Sequence, residues 1–144
     1  MNRRIETLRR MLRLLLAAVF AAAGALHIMA PAPFLSIMPP WVPAATGVIL
    51  WTGICELLGA AGLLLPPLRR TAALGLSLYT VAVYPANVQH MLNDIGSGTG
   101  LGWGYHAPRL LFQPVIVWWC LFAGGLVSWP FRRQSKTSGP PGQG

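Results

Sequence analysis

The chain has 144 residues, of which 54% are hydrophobic and only 10% are charged. Soluble domains carry about 25% charged residues, so this composition excludes an ordinary water-soluble domain and favours lipid as the solvent. The net charge is +8, but the basic residues stand beside long apolar segments, where they are typical of membrane topology signals. We therefore expect the lipid bilayer as a partner and no nucleic acid.

Four apolar segments, at about 12–30, 44–65, 71–90 and 108–129, are long enough to cross a bilayer as helices, since a hydrocarbon core of about 30 Å needs about 20 residues. We predict an all-α fold, an integral membrane four-helix bundle. The predicted domains are a basic cytoplasmic N-terminus (1–11), the transmembrane domain (12–130) and a disordered cytoplasmic tail (131–144), which is rich in Ser, Gly and Pro.

The first segment begins among five arginines, the last of which is Arg13, and carries His27 near its far end. Its basic start and apolar run also fit a signal peptide, with cleavage after Ala23-Gly24-Ala25. That alternative would leave three spans. The apolar run continues past the cleavage pattern, which favours a retained helix.

The second segment contains Glu56, the only acid inside an otherwise apolar span. An ionised side chain at the bilayer centre costs about 2.5–3.5 kcal/mol on insertion scales, so a retained acid indicates a functional site. The alternative is a protonated structural glutamate that locks helices together through hydrogen bonds.

The third segment places Tyr84, Asn87 and His90 at three-residue steps, roughly on one helix face. It also contains Pro85, which has no backbone N–H to donate. We expect a kink there that frees the carbonyl of Val81 and widens this end of the bundle.

The fourth segment places Arg109 and Gln113 four residues apart, on one face. Arg109 lies in the first predicted turn, where the helix dipole disfavours a cation. We therefore expect an anionic partner, with Glu56, Asp94 and a bound anion as candidates. The alternative is an arginine that extends to the lipid headgroups.

The basic residues predict the orientation. Ten of the 11 fall on one side of the four spans, before the first, in the 66–70 turn and after the fourth. Because positive residues favour the cytoplasmic side, both termini are predicted to be cytoplasmic. We expect a multi-pass protein of a bacterial cytoplasmic (inner) membrane.

Together these residues predict a polar pocket in the outer half of the bundle. The predicted ligand-binding residues are His27, Glu56, Asn87, Arg109 and Gln113. Tyr84 and His90 are predicted to line the same pocket. We assign no catalytic residue and no metal site, because a set of His27, His90 and Glu56 or Asp94 has no compact ligand spacing.

Several short motifs give a family resemblance. They are Gly24-Ala25-Leu26-His27, then Gly53-Ile54-Cys55-Glu56-Leu57-Leu58-Gly59-Ala60, then Pro85-Ala86-Asn87, and Arg109-Leu110-Leu111-Phe112-Gln113. The chain resembles the DoxX-like family of small membrane proteins over about residues 10 to 130. The resemblance implies a four-helix membrane bundle and an association with redox or oxidative-stress assemblies.

We therefore expect an accessory subunit of a membrane redox or stress-response system, with redox-complex subunits as partners and no catalysis on its own. A quinone is the candidate ligand, and no cofactor is assigned firmly. The alternatives are a proton-coupled small-molecule carrier that uses Glu56, and a non-catalytic membrane assembly or scaffold protein. The sequence is also compatible with a homo-oligomer.

Overall fold

A computed structural model describes residues 3–98 and 100–131. Of these residues 79% are helical and none lies in a strand, which confirms the all-α prediction. The helices are α1 (Arg3–Met29), α2 (Ala32–Ser36), α3 (Ala45–Leu64), α4 (Arg69–Ala82), α5 (Tyr84–Ser97) and α6 (Trp103–Ala123). Nearly all of the predicted disordered tail lies outside the described residues.

Two of these helices, α1 and α3, are long and apolar enough to cross a membrane by length and composition. The first and second predicted segments lie on them. α3 begins and ends within one residue of the predicted 44–65, whereas α1 begins nine residues before the predicted Leu12 because its basic N-terminal stretch is also helical.

The third predicted segment is two helices rather than one, since α4 ends at Ala82 and α5 begins at Tyr84. Pro85 lies in the first turn of α5. This is the position where proline is favoured, because its missing N–H would have no helical partner there. A single residue, Val83, separates the two helices and keeps helical dihedral angles (φ −83°, ψ −6°), so the expected kink is a one-residue interruption of the helix.

The fourth predicted segment is displaced toward the N-terminus, because α6 runs from Trp103 to Ala123 instead of 108–129. Gly125 has a φ of 75°, and the Leu126 N–H donates to the Leu121 carbonyl at 2.9 Å. Helices commonly end with a glycine in this left-handed conformation, followed by an N–H that donates to a carbonyl five residues earlier.

The helices form a ring in which α1 packs on α3, α3 on α4, α4 on α6 and α6 on α1. Glycines allow close approach at three of these contacts, α1 with α3, α3 with α4, and α4 with the end of α6. A Cβ at Gly24 of α1 would lie 2.7 Å from the Gly53 carbonyl oxygen of α3, and one at Gly124 would lie 2.3 Å from the Ala73 Cβ. Only glycine allows such close approach, so these positions hold the helices together.

One end of the ring is filled by a packed apolar cluster, and we call it the closed end. Its buried members are Leu16, Ala17, Phe20, Ala60, Leu63, Ala73, Leu76, Cys120 and Ala123. The opposite end, toward the C-terminus of α1 and the start of α6, contains a large cavity. We call it the cavity end.

Candidate functional site

The cavity has a volume of about 680 Å³ and is lined by residues from all six helices. Its walls are mostly apolar and include Phe20, Phe34, Ile49, Phe112 and Trp119. Small-molecule sites typically have a volume of about 300–1,000 Å³, mostly apolar walls and a few polar groups. The cavity therefore has the size and the surface of a ligand site.

All five residues predicted to bind a ligand line this cavity, namely His27, Glu56, Asn87, Arg109 and Gln113. The structure thus brings together side chains from α1, α3, α5 and α6. Tyr84 and His90 are not among the lining residues. Tyr84 is 39% exposed at the start of α5, and His90 contacts Asp94 and Arg109 instead.

Glu56 is the centre of the first polar group on the cavity wall, and only 4% of it is exposed. Its Oε2 lies 2.7 Å from His27 Nδ1, and its Oε1 accepts a hydrogen bond of 2.8 Å from the Tyr79 hydroxyl. His27 Nδ1 also lies 3.0 Å from the Ala23 carbonyl, which can only accept, so Nδ1 carries a proton. Both carboxylate oxygens therefore have donors.

A close helix contact makes the His27–Glu56 bond possible. A Cβ on Gly53, one helical turn before Glu56, would lie 2.9 Å from the His27 Cβ. The absence of that side chain lets α1 approach α3, which brings the imidazole within reach of the carboxylate. The His27 ring is further held against the Phe34 ring, with 3.9 Å between their centroids.

Asn87, Gln113 and Arg109 form the second polar group. Asn87 Nδ2 donates to Gln113 Oε1 at 3.0 Å, and Arg109 Nη2 donates to Asn87 Oδ1 at 2.6 Å. Gln113 Nε2 donates to the Thr80 carbonyl at 2.6 Å. Thr80 lies in the last turn of α4, where helix carbonyls lack partners from a following turn. The interruption between α4 and α5 thus leaves a backbone carbonyl that accepts a hydrogen bond from Gln113. This carbonyl belongs to Thr80, one residue before Val81, whose carbonyl was predicted to be freed.

Arg109 has neutral contacts. Its Nη1 lies 2.8 Å from His90 Nδ1, its Nη2 reaches Asn87, and its Cζ is 5.7 Å from the Tyr105 ring centroid. Within residues 3–98 and 100–131, no ion pair joins Arg109 to a carboxylate. Neither Glu56 nor Asp94 is therefore the direct partner expected from the sequence, and the Arg109 guanidinium lines the cavity.

A third polar group, the His–Asp cluster (His90, Asp94 and His106), lies beside Arg109. His106 Nε2 is 2.9 Å from Asp94 Oδ2, and His90 Nε2 is 3.5 Å from Asp94 Oδ1. Asp94 Oδ2 also accepts a hydrogen bond of 3.0 Å from the Leu101 N–H. The Asp94 carboxyl group therefore joins both histidines to the backbone just before α6.

Three residues of these groups were not singled out in the sequence. Tyr79 could have been predicted, since it places a hydroxyl group inside an apolar segment, as Glu56 places a carboxyl group, and a buried hydroxyl needs a hydrogen-bond partner. His106 had only the weak signal of its residue type, because its meeting with Asp94 depends on how α6 packs against α5. Thr80 contributes a backbone carbonyl, which no side-chain pattern can indicate.

Comparison with known proteins gives a family and no function. The domain family DUF8561, described as a domain of unknown function, matches residues 16–123. No curated protein and no solved structure matches the chain. The matched region begins within α1 and ends with α6, so it contains the cavity, its polar groups and all of the ring except residues 3–15 of α1. On this match the chain belongs to the DUF8561 family.

Proposed function

We propose that the chain crosses a bacterial cytoplasmic membrane four times, with both termini in the cytoplasm. The spans would be α1, α3, the α4–α5 pair and α6, and α3 alone is about 30 Å long at 1.5 Å per residue. Large apolar side chains on the outside of the ring support this, since Leu58 and Leu78 are 68% exposed and Leu111 is 76% exposed. Soluble monomers seldom carry many such residues together.

Single cysteines test this topology in a Cys55→Ser, Cys120→Ser background. An impermeant maleimide added to intact cells should label Ser36→Cys at the end of α2 and leave Leu68→Cys between α3 and α4 unlabelled. Both residues are exposed, so access to the reagent decides the result. Labelling at position 68 and protection at position 36 would contradict the proposal.

Inside this bundle, we propose that the cavity binds a small lipophilic molecule with carbonyl oxygens, of the quinone type. The observation that carries the proposal is Arg109, a cation with only neutral partners in the described part of the chain, on the wall of an otherwise apolar cavity. A guanidinium has five N–H donors, so donors remain for a quinone carbonyl. The rings of Phe112 and Trp119 offer aromatic surface for the quinone ring.

We further propose that the protein serves a membrane redox or stress-response system as an accessory subunit, as its resemblance to the DoxX-like family implies. Support comes from the motif residues that carry the resemblance. His27 and Glu56 are hydrogen-bonded to each other, and Asn87, Arg109 and Gln113 form one connected network. These motifs therefore lie around the cavity rather than along separate helix surfaces.

The binding experiment uses a short-chain ubiquinone or menaquinone analogue and the purified protein in mild detergent. Trp41 and Trp119 line the cavity, so quenching of tryptophan fluorescence reports occupancy. Saturable binding is expected, and Arg109→Gln should weaken it about tenfold or more, since a hydrogen bond to a charged group contributes about 1.5–3 kcal/mol. Arg70→Gln removes the same charge at an exposed site away from the cavity and should leave the affinity unchanged.

The same experiment separates the alternatives. A folded protein without saturable quinone binding that copurifies with a larger complex would favour the scaffold function instead. The geometry does not favour a carrier that exchanges protons at Glu56, because both carboxylate oxygens already accept hydrogen bonds from His27 and Tyr79. A cationic substrate would have to displace both donors.

A further inference from the structure

The His–Asp cluster lies outside the set of residues that line the cavity and has a composition of its own. His90 and Asp94 are one helical turn apart on α5, and His106 comes from the first turn of α6. One potential ligand atom from each of the three residues lies within 4.8 Å of the other two. The side chains are 13%, 18% and 0% exposed for His90, Asp94 and His106, respectively.

We propose that His90, Asp94 and His106 form a binding site for a divalent transition-metal ion of the zinc type. Two imidazoles and one carboxylate are a ligand set that zinc uses in proteins, with further positions left for water or another ligand. None of the three residues lines the cavity, so the evidence for the metal site does not rest on the cavity's ligand.

The geometry needs only small adjustments. A tetrahedral ion with bonds of about 2.1 Å places its ligand atoms about 3.4 Å apart. The His106–Asp94 and His90–Asp94 separations of 2.9 Å and 3.5 Å lie close to that value. The two histidines must approach each other modestly, and His106 lies in the first turn of its helix.

His106 can supply Nε2 to a metal through a change of tautomer. The residue is fully buried, yet its Nδ1 has no hydrogen-bond partner among the described residues. Buried polar atoms are rarely left without partners in native proteins. Binding a metal through Nε2 requires the proton to move from Nε2 to Nδ1, so the metal replaces the hydrogen bond between Nε2 and Asp94 Oδ2. The shift disturbs no other hydrogen bond of this ring among the described residues.

His90 couples the proposed site to Arg109. Arg109 Nη1 donates to His90 Nδ1 at 2.8 Å, so Nδ1 carries no proton in this arrangement. A neutral His90 that binds metal through Nε2 must carry its proton on Nδ1, where it would meet the Arg109 N–H. Metal binding and the Arg109–His90 bond therefore exclude each other, and bound metal releases Arg109 from one of its two neutral partners.

Zinc itself is the probe, added to the purified full chain with a tag that lacks histidine, in competition with a chromogenic chelator. One ion per chain is expected. Asp94→Asn and His90→Gln, both at partly exposed positions, should each weaken binding at least about tenfold. Arg109→Gln should bind zinc more tightly, because it removes both a nearby cation and the competing donor. When cobalt(II) replaces zinc, the complex should show the absorption bands in the visible range that are typical of cobalt with few ligands.

Two control variants are matched to these substitutions. Asn93→Ala changes an exposed residue on the same helix, and Cys55→Ser removes the exposed thiol, the other side chain that zinc favours. Both should bind zinc like the unmodified chain. A folded chain that takes up no zinc, or Asp94 and His90 variants that keep the affinity within twofold, would overturn the site. Weaker zinc binding by Arg109→Gln would overturn the proposed coupling between the metal site and Arg109.

Discussion

The two ends of the helical ring are built from the same helices but held together by different interactions. At the closed end Leu63, Ala73, Cys120 and Ala123 are fully buried, and the contacts are between apolar atoms at close approach. At the cavity end the helices are joined by polar side chains around a space of about 680 Å³. Close-packed interiors have few voids. Here the tight packing at the closed end holds the helices together, so that a cavity can exist at the other end.

Hydrogen bonds also differ between the two ends. At the closed end, arginines donate to the carbonyls that end α6: Arg9 Nε to Phe122 and Arg13 Nε to Ala123, at 3.0 and 2.9 Å. These bonds satisfy a helix terminus. At the cavity end the donors join side chains of different helices, and Arg109 keeps N–H groups that a ligand can use. The comparison assigns stability mainly to one end and binding mainly to the other.

The largest expected effect on stability is at the closed end. Arg9 is 5% exposed, and it donates to the carbonyls of Phe122 and Val127. Arg9→Met should lower the free energy of unfolding by about 3 kcal/mol, since buried acceptors would lose a charged donor. Arg10→Met, at an exposed position next to it, should change stability by no more than about 0.5 kcal/mol. Denaturation in detergent followed by circular dichroism measures both, and equal losses would refute the capping role.

A pair of glycines tests close packing at the closed end. Gly124→Ala places a methyl group 2.3 Å from the Ala73 Cβ, so α4 and α6 must move apart. We expect a loss of about 1–3 kcal/mol from overpacking. In Gly75→Ala the methyl group meets nothing within 4 Å, and the substitution should stabilise α4 by about 0.5–1 kcal/mol. Thermal melts of the two variants should therefore shift in opposite directions, and shifts of the same sign would show that the α4–α6 contact is not tight.

The smallest effect on stability is expected at the cavity end. Glu56→Gln retains the shape of the side chain but offers a single acceptor oxygen to His27 and Tyr79, so one hydrogen bond is lost. The cost should be about 1 kcal/mol, measured by the same melts. Tyr79→Phe removes one of the two donors and is the matched variant, with a similar or smaller cost. A loss of several kcal/mol for Glu56→Gln would make Glu56 a structural lock, as in the alternative interpretation of its sequence position.

The sequence predicted the cavity residues better than the helices that carry them. Glu56, Arg109 and Gln113 are recognisable because a polar side chain in an apolar segment has to be compensated. The interruption at Val83 was expected only as a kink, since Pro85 fits both a bent helix and a helix start.

Contacts that depend on the three-dimensional path of the chain were not predictable. Arg9 was read as one of several topology signals, although the structure buries it against the end of α6. No local pattern distinguishes it from its exposed neighbour Arg10, because the difference arises from packing against a helix more than 100 residues away. His106 joins Asp94 for the same kind of reason.

The central claim is that the polar cavity, rather than the lipid-facing surface, holds a quinone-type ligand. A photoreactive quinone analogue, irradiated with the protein in membranes and followed by peptide mass spectrometry, tests it most directly. The account predicts labels on cavity-lining residues such as Met38, Phe112 and Trp119, removed by excess unlabelled quinone and reduced in Arg109→Gln. Labels confined to outward-facing residues such as Leu78 and Leu111, unaffected by competitor, would contradict it.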